Sequence, residues 1–301
     1  SHAASAFFPS PFEEAVIITA DGVGEWATTT VAVGKKEFLE IKKEIHFPHS
    51  IGLLYSAFTY YTGFKVNSGE YKLMGLAPYG NPIYKNKVKK LIDIKDDGTF
   101  RMDQTYFNYS TGFKMTSEKF HKLFGQKPRD PNKERITQFH MDIAASIQAV
   151  TEEIMIKLAK AARTEYGIKN LCLAGGVALN CVANGKILRS KIFDRIWIQP
   201  AAGDAGGSLG AALALWYLEN GNKRVSNSDD DMKGAYLGNE FSQDEIEKEL
   251  NLAGANFETL DYENLIKKTS DLISNDKIIG WFQGRMEFGP RSLGARSILA
   301  D

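Results

Sequence analysis

The chain has 301 residues, of which 43% are hydrophobic and 25% charged, so it is long enough and apolar enough to bury a large core. Its 37 basic and 37 acidic residues cancel, which leaves no overall field that would attract nucleic acid or an anionic membrane. No apolar run reaches membrane-spanning length, no signal-peptide pattern is present, and the cysteines are Cys172 and Cys181 alone. We therefore expect a protein of the reducing cytoplasm. We expect no membrane partner, and the charge balance gives no support for a nucleic-acid partner.

The first third of the chain predicts a β-meander followed by helices. Apolar and β-branched runs predict strands at 15–20, 27–33 and 38–45. A loop at Asp21–Glu25 joins the first two strands, and Ser50 and Ser68 are expected to cap the two helices that follow. Residues 83–135 are polar and Lys-rich, and they predict an insertion with some helix and strand, a candidate wall of a substrate site.

The second half of the chain predicts alternating strands and helices after one long packing helix. An apolar stripe between Gln138 and Arg163 predicts that helix. The alternation that follows predicts a partly parallel sheet covered by helices. Its elements are expected at 170–174, 177–189, 195–199 and 205–219. A polar linker is expected at 220–233, and further elements at 242–252, 262–274 and 277–282.

Two domains are therefore expected, residues 1–225 and 234–301. The chain begins at Ser1 without an initiator Met and stops at Asp301, directly after a dense polar motif. Both ends look cut, and we expect a fragment of a longer protein. The histidines other than His2 are expected in turns or at the surface: His46, His49, His121 and His140.

Two Gly-rich turns, each between a strand and a helix, are the first chemical signal. One spans residues 174–180 and the other residues 202–210, and the second carries Asp204. Glycines allow backbone N–H groups to converge beside a helix N-terminus, where a phosphate binds well. Asp204 is either a helix N-cap or a metal ligand. The glycines around it indicate close approach of a ligand or of another helix.

The loop Asp21-Gly22-Val23-Gly24-Glu25 is the second signal. A carboxylate at a strand end is held rigidly, and glycines allow a ligand to approach the backbone, although an ordinary hairpin turn is the alternative. Lys72 and Glu70 lie in a segment bounded by Gly and Pro, which predicts either a loop around a ligand or a pair on a solvated face. His2 is a candidate metal ligand, with a tag remnant as the alternative.

A third signal is the segment 284–297, in which Arg285, Glu287, Arg291 and Arg296 are spaced by Gly and Pro. The planar guanidinium group is suited to bidentate capture of phosphate or carboxylate, and a rigid backbone keeps such groups in place. A basic surface loop is the alternative, but such loops usually prefer Lys and lack the apolar strand that precedes this one. We therefore predict an anion-binding segment.

Taken together, these motifs resemble the O-carbamoyltransferase family that includes nodulation protein U and the cephalosporin and tobramycin carbamoyltransferases. The matching segments are His2–Phe7, Asp21–Trp26, Ser68–Gly80, Ala174–Asn180, the Asp204 turn and Glu287–Ser297. The resemblance implies an α/β fold, with an actin-like ATPase (ribonuclease H-like) domain first. The truncated start of an α+β domain like threonylcarbamoyl-adenylate synthase would follow it.

By this resemblance, carbamoyl phosphate and ATP form carbamoyl adenylate with release of pyrophosphate, and the carbamoyl group then passes to a hydroxyl of a small-molecule or saccharide acceptor. The family pattern implies a divalent metal, iron first and magnesium or manganese as alternatives. It would be held by His2, Asp21 and Asp204, with another His upstream of this chain. The metal would act as a Lewis acid, and Asp21 and Lys72 are the predicted catalytic residues.

The same resemblance implies where the two cosubstrates bind. The predicted nucleotide-binding residues are Gly22, Gly24, Gly175, Gly176, Val177 and Asn180. The predicted residues for carbamoyl phosphate are Arg285, Glu287, Arg291 and Arg296. We expect this fragment alone to be inactive in the full reaction, and a homodimer is a candidate assembly. The alternatives are an actin-like sugar kinase, which leaves the arginines unexplained, and a nucleotide-binding module without catalysis.

Overall fold

The computed structural model describes residues 1–226 and 231–301. Contacts between residues divide the chain into two compact units, Ser1–Ser228 and Asp229–Asp301. Residues 227–230 of the predicted linker lie outside the described part. The start of that linker is not a free connector, because Arg224 is buried in the first unit, where its guanidinium donates to four backbone carbonyls.

The first unit contains most of the regular structure. Its helices are α1 (His2–Phe7), α2 (Ile51–Tyr61), α3 (Glu70–Leu76), α4 (Lys85–Val88), α5 (Glu118–Phe124), α6 (Gln138–Tyr166), α7 (Cys181–Arg189) and α8 (Asp204–Ala214). Its strands are β1 (Glu14–Ala20), β2 (Ala27–Lys35), β3 (Phe38–His46), β4 (Ile92–Ile94), β5 (Phe100–Met102), β6 (Asn170–Ala174) and β7 (Arg195–Ile198).

Five of these strands form one mixed sheet in the order β3-β2-β1-β6-β7. The strands β1, β2 and β3 form an antiparallel meander, whereas β6 runs parallel to both β1 and β7. Parallel strands end at the same edge of a sheet, and the pairing of Thr19 with Ala174 brings the ends of β1 and β6 side by side. The loop at Asp21 and the turn at Gly175 therefore start next to each other.

Helices cover both faces of this sheet. Along β1, Val16 and Ile18 point into the core beneath α2 and α6, and Ile17 points into the core beneath α1. This alternation with period two is the side-chain geometry of a strand. Full burial of each such side chain contributes roughly 1.5–3 kcal/mol to folding. The mixed α/β fold expected from the sequence is confirmed.

Several local predictions are confirmed and others are wrong. The predicted apolar stripe of α6 is buried, and Ser50 caps α2 by accepting from the Leu53 N–H. Ser68 is not a cap, because α3 is preceded by Gly69 and the Glu70 carboxylate accepts from the amides of Asn67 and Gly69.

The histidines, the insertion and one helix give mixed outcomes. The surface positions expected for His121 and His140 are wrong, since both are buried. The insertion at 83–135 does contain helix and strand, namely α4, α5 and the β4–β5 hairpin. The helix expected to start at residue 177 begins as a short 3₁₀ turn at Gly176–Leu179, and α7 starts at Cys181.

The second unit contains α9 (Gln243–Leu252), α10 (Tyr262–Ser274) and an antiparallel hairpin of β8 (Ile279–Phe282) and β9 (Arg296–Leu299). Neither α9 nor α10 has a buried residue. The buried residues among the described part of this unit are Met232, Ala235, Glu287 and Ala295. Within the described ranges of both units, no helix combines the length and apolar character needed to cross a membrane.

Candidate metal centre and nucleotide turn

The Asp21 loop is fixed at both ends by backbone hydrogen bonds. The Asp21 N–H donates to the Thr28 carbonyl over 2.8 Å, and Gly24 N–H donates to the Ala27 carbonyl over 3.2 Å. The Ser50 hydroxyl lies 2.8 Å from the carbonyl oxygen of Asp21. A side chain at Gly52 would meet that carbonyl oxygen at 2.4 Å, so α2 packs directly against the loop. The backbone that carries the Asp21 carboxylate is therefore held rigidly.

The two oxygens of the Asp21 carboxylate have different surroundings. Oδ1 accepts from the N–H of Gly22 over 2.8 Å and from the N–H of Gly176 over 3.2 Å. Oδ2 is buried and has no hydrogen-bond partner among the described residues. One oxygen thus orients the carboxylate against the turn after β6, while the other makes no hydrogen bond to the described residues.

His2 faces that second oxygen from α1. Its Nε2 lies 3.3 Å from Asp21 Oδ2 and 3.9 Å from an oxygen of Asp204, and like Oδ2 it is buried without a hydrogen-bond partner in the described part of the chain. The ligand atoms of the three residues lie within 4.8 Å of one another. A buried polar atom without a partner is costly, and one ion between these atoms would satisfy both. The donor set fits a divalent metal.

The helix that carries His2 is positioned by contacts far away in sequence. The Gln199 side chain donates to the Ser5 carbonyl and accepts from the Ala201 N–H, which joins α1 to the turn before Asp204. At the other end of α1, the buried Arg224 guanidinium donates to the carbonyls of Phe7, Phe8, Ser10 and Phe12. Cations favour helix C-termini, so this contact stabilises α1. Sequence reasoning missed Arg224 because it lies in a polar stretch.

The glycines around Asp204 are required for different reasons. A side chain at Gly210 would lie 2.0 Å from the Ser1 carbonyl oxygen, and one at Gly206 would lie 2.1 Å from the Ala201 carbonyl oxygen, so these two allow backbone to pack on backbone. By contrast, Gly22 and Gly203 adjoin the two carboxylates and have no atom within 4 Å of an added Cβ. Space therefore remains beside both acids. The cap of α8 is Gly203, so the N-cap interpretation of Asp204 is wrong.

The turn after β6 lies directly on the Asp21 loop. Gly175 has φ +87°, and an added Cβ would meet the Ala20 carbonyl oxygen at 2.2 Å, so this position requires glycine. Gly176 and Val177 form the 3₁₀ turn that precedes α7. The Asn180 side chain caps α7 and bonds Gln148, so its amide is already engaged.

Lys72 lies apart from these contacts. It is exposed on α3, and among the described residues its ammonium has no hydrogen bond or ion pair. Glu70 does not pair with it, because the Glu70 carboxylate accepts from the Ser56 hydroxyl over 2.8 Å and from the start of α3. The segment contacts the start of α7 through Met74, whose sulfur is 4.0 Å from that of Cys181.

In the second unit, Glu287 organises the predicted anion-binding segment. Its Oε1 accepts from the N–H groups of Leu293 and Ala295 over 2.7 and 2.9 Å, and its Oε2 lies 3.7 Å from Arg296 Nε. Burial acts to raise the pKa of this carboxyl, but the backbone N–H donors outweigh it and hold the pKa below its usual range. Glu287 therefore shapes the loop.

The arginines of that segment differ in their exposure and in their hydrogen-bond partners. Arg285 is exposed and donates to the Gly238 carbonyl and to the Glu240 carboxylate. Arg296 is partly buried and also donates to the Gly289 carbonyl. Arg291 is partly buried as well.

A cavity of about 590 Å³ lies elsewhere in the first unit. It is lined by residues of the insertion and of α6, among them Lys89, Arg101 and Lys157. None of the predicted site residues lines it. Its charges are largely paired at the surface, for example Lys89 with Glu153, so it does not compete with the carboxylate centre as the candidate site.

The fold and the site define an α/β protein with a candidate metal centre at the edge where its parallel strands end, beside a glycine-rich turn. A family model described as "Carbamoyltransferase N-terminus" matches residues 1–213, and one described as "Carbamoyltransferase C-terminus" matches residues 270–301. The chain therefore belongs to the carbamoyltransferase family, which confirms the resemblance drawn from its motifs.

Three curated relatives align with the whole chain. An uncharacterized protein of Synechocystis sp. is 57% identical, nodulation protein NolNO of Sinorhizobium fredii 38% and nodulation protein NolO of Bradyrhizobium diazoefficiens 37%. The alignments cover 49%, 42% and 52% of these proteins, so the chain spans about half the length of the relatives it matches. The crystal structure of HypF from T. kodakarensis aligns with 73% of this chain and 36% of its own, with a TM-score of 0.35 and 16% identity.

Proposed function

We propose that the first unit is the transfer domain of an ATP-dependent O-carbamoyltransferase with an actin-like fold. The observation that carries the proposal is the meeting of His2, Asp21 and Asp204 within 4.8 Å, beside a turn whose Gly176 N–H already donates to Asp21. Membership of the carbamoyltransferase family supplies the chemistry. The acceptor is a hydroxyl-bearing small molecule or saccharide.

Three residues would hold the metal, for which iron is the first candidate and magnesium or manganese are alternatives. Nε2 of His2 and Oδ2 of Asp21 are both buried without a hydrogen-bond partner in the described part of the chain, and Asp204 adds an exposed carboxylate. When bound, a divalent ion supplies Lewis acidity to a carbonyl or phosphate oxygen. The hydrogen bonds to Asp21 Oδ1 keep its other oxygen turned toward His2, which preorganises the centre.

The glycine positions would receive the nucleotide. Glycine allows a ligand to approach the backbone closely, and the open space beside Gly22 and Gly203 leaves room for phosphate groups. We assign Gly24, Gly175, Gly176 and Val177 to the same site. Asn180 acts on it through the turn, because its own amide is engaged. Lys72 is exposed and free to reach a ligand, and it stays a candidate catalytic residue.

The proposed reaction has two stages. Water cleaves carbamoyl phosphate into carbamate and phosphate, and a carbamate oxygen then attacks the α-phosphorus of ATP while pyrophosphate departs. In the second stage the acceptor oxygen attacks the carbamoyl carbon and loses its proton, and AMP leaves with the electron pair of the broken C–O bond. We assign Arg285, Arg291 and Arg296 in the second unit to carbamoyl phosphate, with Glu287 as the residue that shapes their loop.

The test uses ATP and labelled carbamoyl phosphate with the 301-residue chain and, in parallel, with the full-length Synechocystis relative. We expect both proteins to bind ATP, and only the full-length relative to release pyrophosphate in a carbamoyl-phosphate-dependent manner. ADP formed in the presence of a sugar would instead indicate a kinase. Nucleotide binding by both proteins without any turnover would indicate a binding module. Carbamoyl adenylate made by the 301-residue chain would contradict the assignment of that step to a longer second domain.

A further inference from the structure

A buried polar network joins three helices to the turn after β6. Its members are Tyr55 on α2, Gln148 and Glu152 on α6, and Asn180 and Lys186 at α7, and we call it the Gln148 network. The side chains of Tyr55, Gln148, Glu152 and Asn180 are all buried. Sequence periodicity did not reveal it, because the apolar residues of α6 dominate the pattern.

Gln148 is the hub, and both ends of its amide are saturated. Its Oε1 accepts from the Tyr55 hydroxyl and from Asn180 Nδ2, each over 2.9 Å. Its Nε2 donates to Glu152 Oε1 over 3.0 Å and to Asn180 Oδ1 over 3.1 Å. An amide can make four such bonds, and here all four are made within the protein.

The network also places one buried charge. Glu152 is buried, and its Oε2 pairs with the ammonium of Lys186, which extends toward solvent. Burial raises the pKa of the Tyr55 phenol, and the negative charges of Glu152 and Glu70 act in the same direction. Tyr55 therefore remains a protonated donor, and the direction of its bond to Gln148 does not change with pH in the ordinary range.

At its other end the network fixes the turn beside Asp21. Asn180 Oδ1 also accepts from the Ala183 N–H over 3.0 Å, which caps α7, and the Asn180 N–H donates to the Val177 carbonyl over 2.9 Å. That turn begins at Gly176, whose N–H donates to Asp21 Oδ1. A displaced Asn180 would therefore shift the donors on which the Asp21 carboxylate depends.

We propose that Gln148 is a positioning residue for nucleotide binding, which rests on the nucleotide site proposed above. A buried polar cluster is rarely the most stable filling for a helix interface, since apolar residues of similar volume do as well or better. What a saturated network provides is a single arrangement of the groups it joins. Here that arrangement holds the turn Gly176–Leu179 against the metal centre, with the Gly176 N–H on Asp21 Oδ1.

The test compares Gln148→Met with Glu153→Gln in the 301-residue chain. Gln148→Met keeps volume and helix propensity but removes all four bonds. Glu153 also lies on α6, but it pairs with Lys85 and Lys89 outside the network. It therefore supplies a matched control. We expect Gln148→Met to weaken ATP binding about tenfold, a loss of about 1.4 kcal/mol, and to speed amide hydrogen exchange at Ala178 and Asn180 by a similar factor. Glu153→Gln should change neither quantity by more than about twofold, as expected of a surface pair.

The outcomes separate the two proposals. If the unaltered chain binds no ATP, the proposed nucleotide site is wrong. If ATP binds equally well to Gln148→Met, or if exchange rises uniformly across β1 and the turn, the network has a structural role only and the positioning proposal is overturned. Should Gln148→Met fail to fold, Tyr55→Phe removes a single bond to the hub and must still speed exchange at Asn180 relative to Ile18.

Discussion

The two units of this chain stabilise their functional segments by different means. In the first unit, the Asp21 loop rests on a sheet whose central strands are buried on both faces. In the second, α9 and α10 bury no residue, and the predicted anion-binding segment is organised around the Glu287 carboxylate. Hydrophobic packing therefore supports the first segment, whereas backbone hydrogen bonds and the charge-assisted bonds of Glu287 hold the second.

The two carboxylates are held in similar ways although their units differ. Asp21 uses one oxygen to fix its orientation and keeps the other turned toward His2. Glu287 uses one oxygen to close a backbone loop, and Arg296 lies near the other. In both units one carboxylate oxygen therefore binds backbone N–H groups, while the other is buried without a hydrogen bond to the described residues and faces a nitrogen of His2 or of Arg296.

The largest effect is expected from shortening a core side chain in the first unit. Ile147→Ala on α6 removes a fully buried side chain and should cost about 2–5 kcal/mol of unfolding free energy. Ile266→Ala on α10 truncates an exposed side chain and should change it by less than about 0.5 kcal/mol. Urea-dependent hydrogen exchange, read on peptides of each unit separately, measures both. Equal costs would contradict the contrast between the units.

The next effect concerns the free oxygen of Asp21. Asp21→Asn keeps an oxygen for the N–H groups of Gly22 and Gly176 but removes the charge that faces His2. Affinity for Mn²⁺, measured by calorimetry, should fall at least about 100-fold, while the unfolding midpoint changes little. Glu25→Gln, an exposed change in the same loop, is the control. Unchanged Mn²⁺ affinity in Asp21→Asn would remove the metal centre from the proposal.

A smaller effect is expected where α1 and α8 touch. In Gly210→Ala the new methyl would lie 2.0 Å from the Ser1 carbonyl oxygen, so α1 must move and take His2 with it. Such overpacking costs about 1–3 kcal/mol. Gly207→Ala lies on the same helix with its nearest atom 3.8 Å away, and it should be neutral or gain up to about 1 kcal/mol. The free energies of unfolding of the two variants are measured by urea denaturation. If they are equal, α1 and α8 do not pack this closely.

The smallest effect is a pH dependence confined to the second unit. The folded pKa of Glu287 lies below its ordinary value of 4.5, so its contribution to stability is complete above pH 4.5 and is lost as pH falls through the folded pKa. Hydrogen exchange of the Ala295 amide should therefore become faster as the pH is lowered through the folded pKa of Glu287. Glu287→Gln should show no such acid step. An acid step that persists in Glu287→Gln would assign it to another carboxyl.

Local sequence patterns determined much of this protein. The stripe of α6, the cap at Ser50 and the strand–loop–strand pattern around Asp21 each depend on residues within one or two turns of each other, where spacing alone dictates geometry. The motifs together also identified the family, which the comparison confirms. These features require no knowledge of how distant segments meet.

The family resemblance groups His2, Asp21 and Asp204 from the sequence, but only the tertiary structure supplies the contacts that bring them into one space. His2 and Asp204 are 202 positions apart, yet the packing of α1 on α8 brings both to Asp21, while Lys72 in an equally suggestive motif lies exposed on α3. The same packing showed that Gly210 serves a helix contact, and that Arg224 anchors α1 although it lies in a polar stretch. Such contacts are set by the three-dimensional closure of the sheet and its helices, and spacing along the chain carries no record of them.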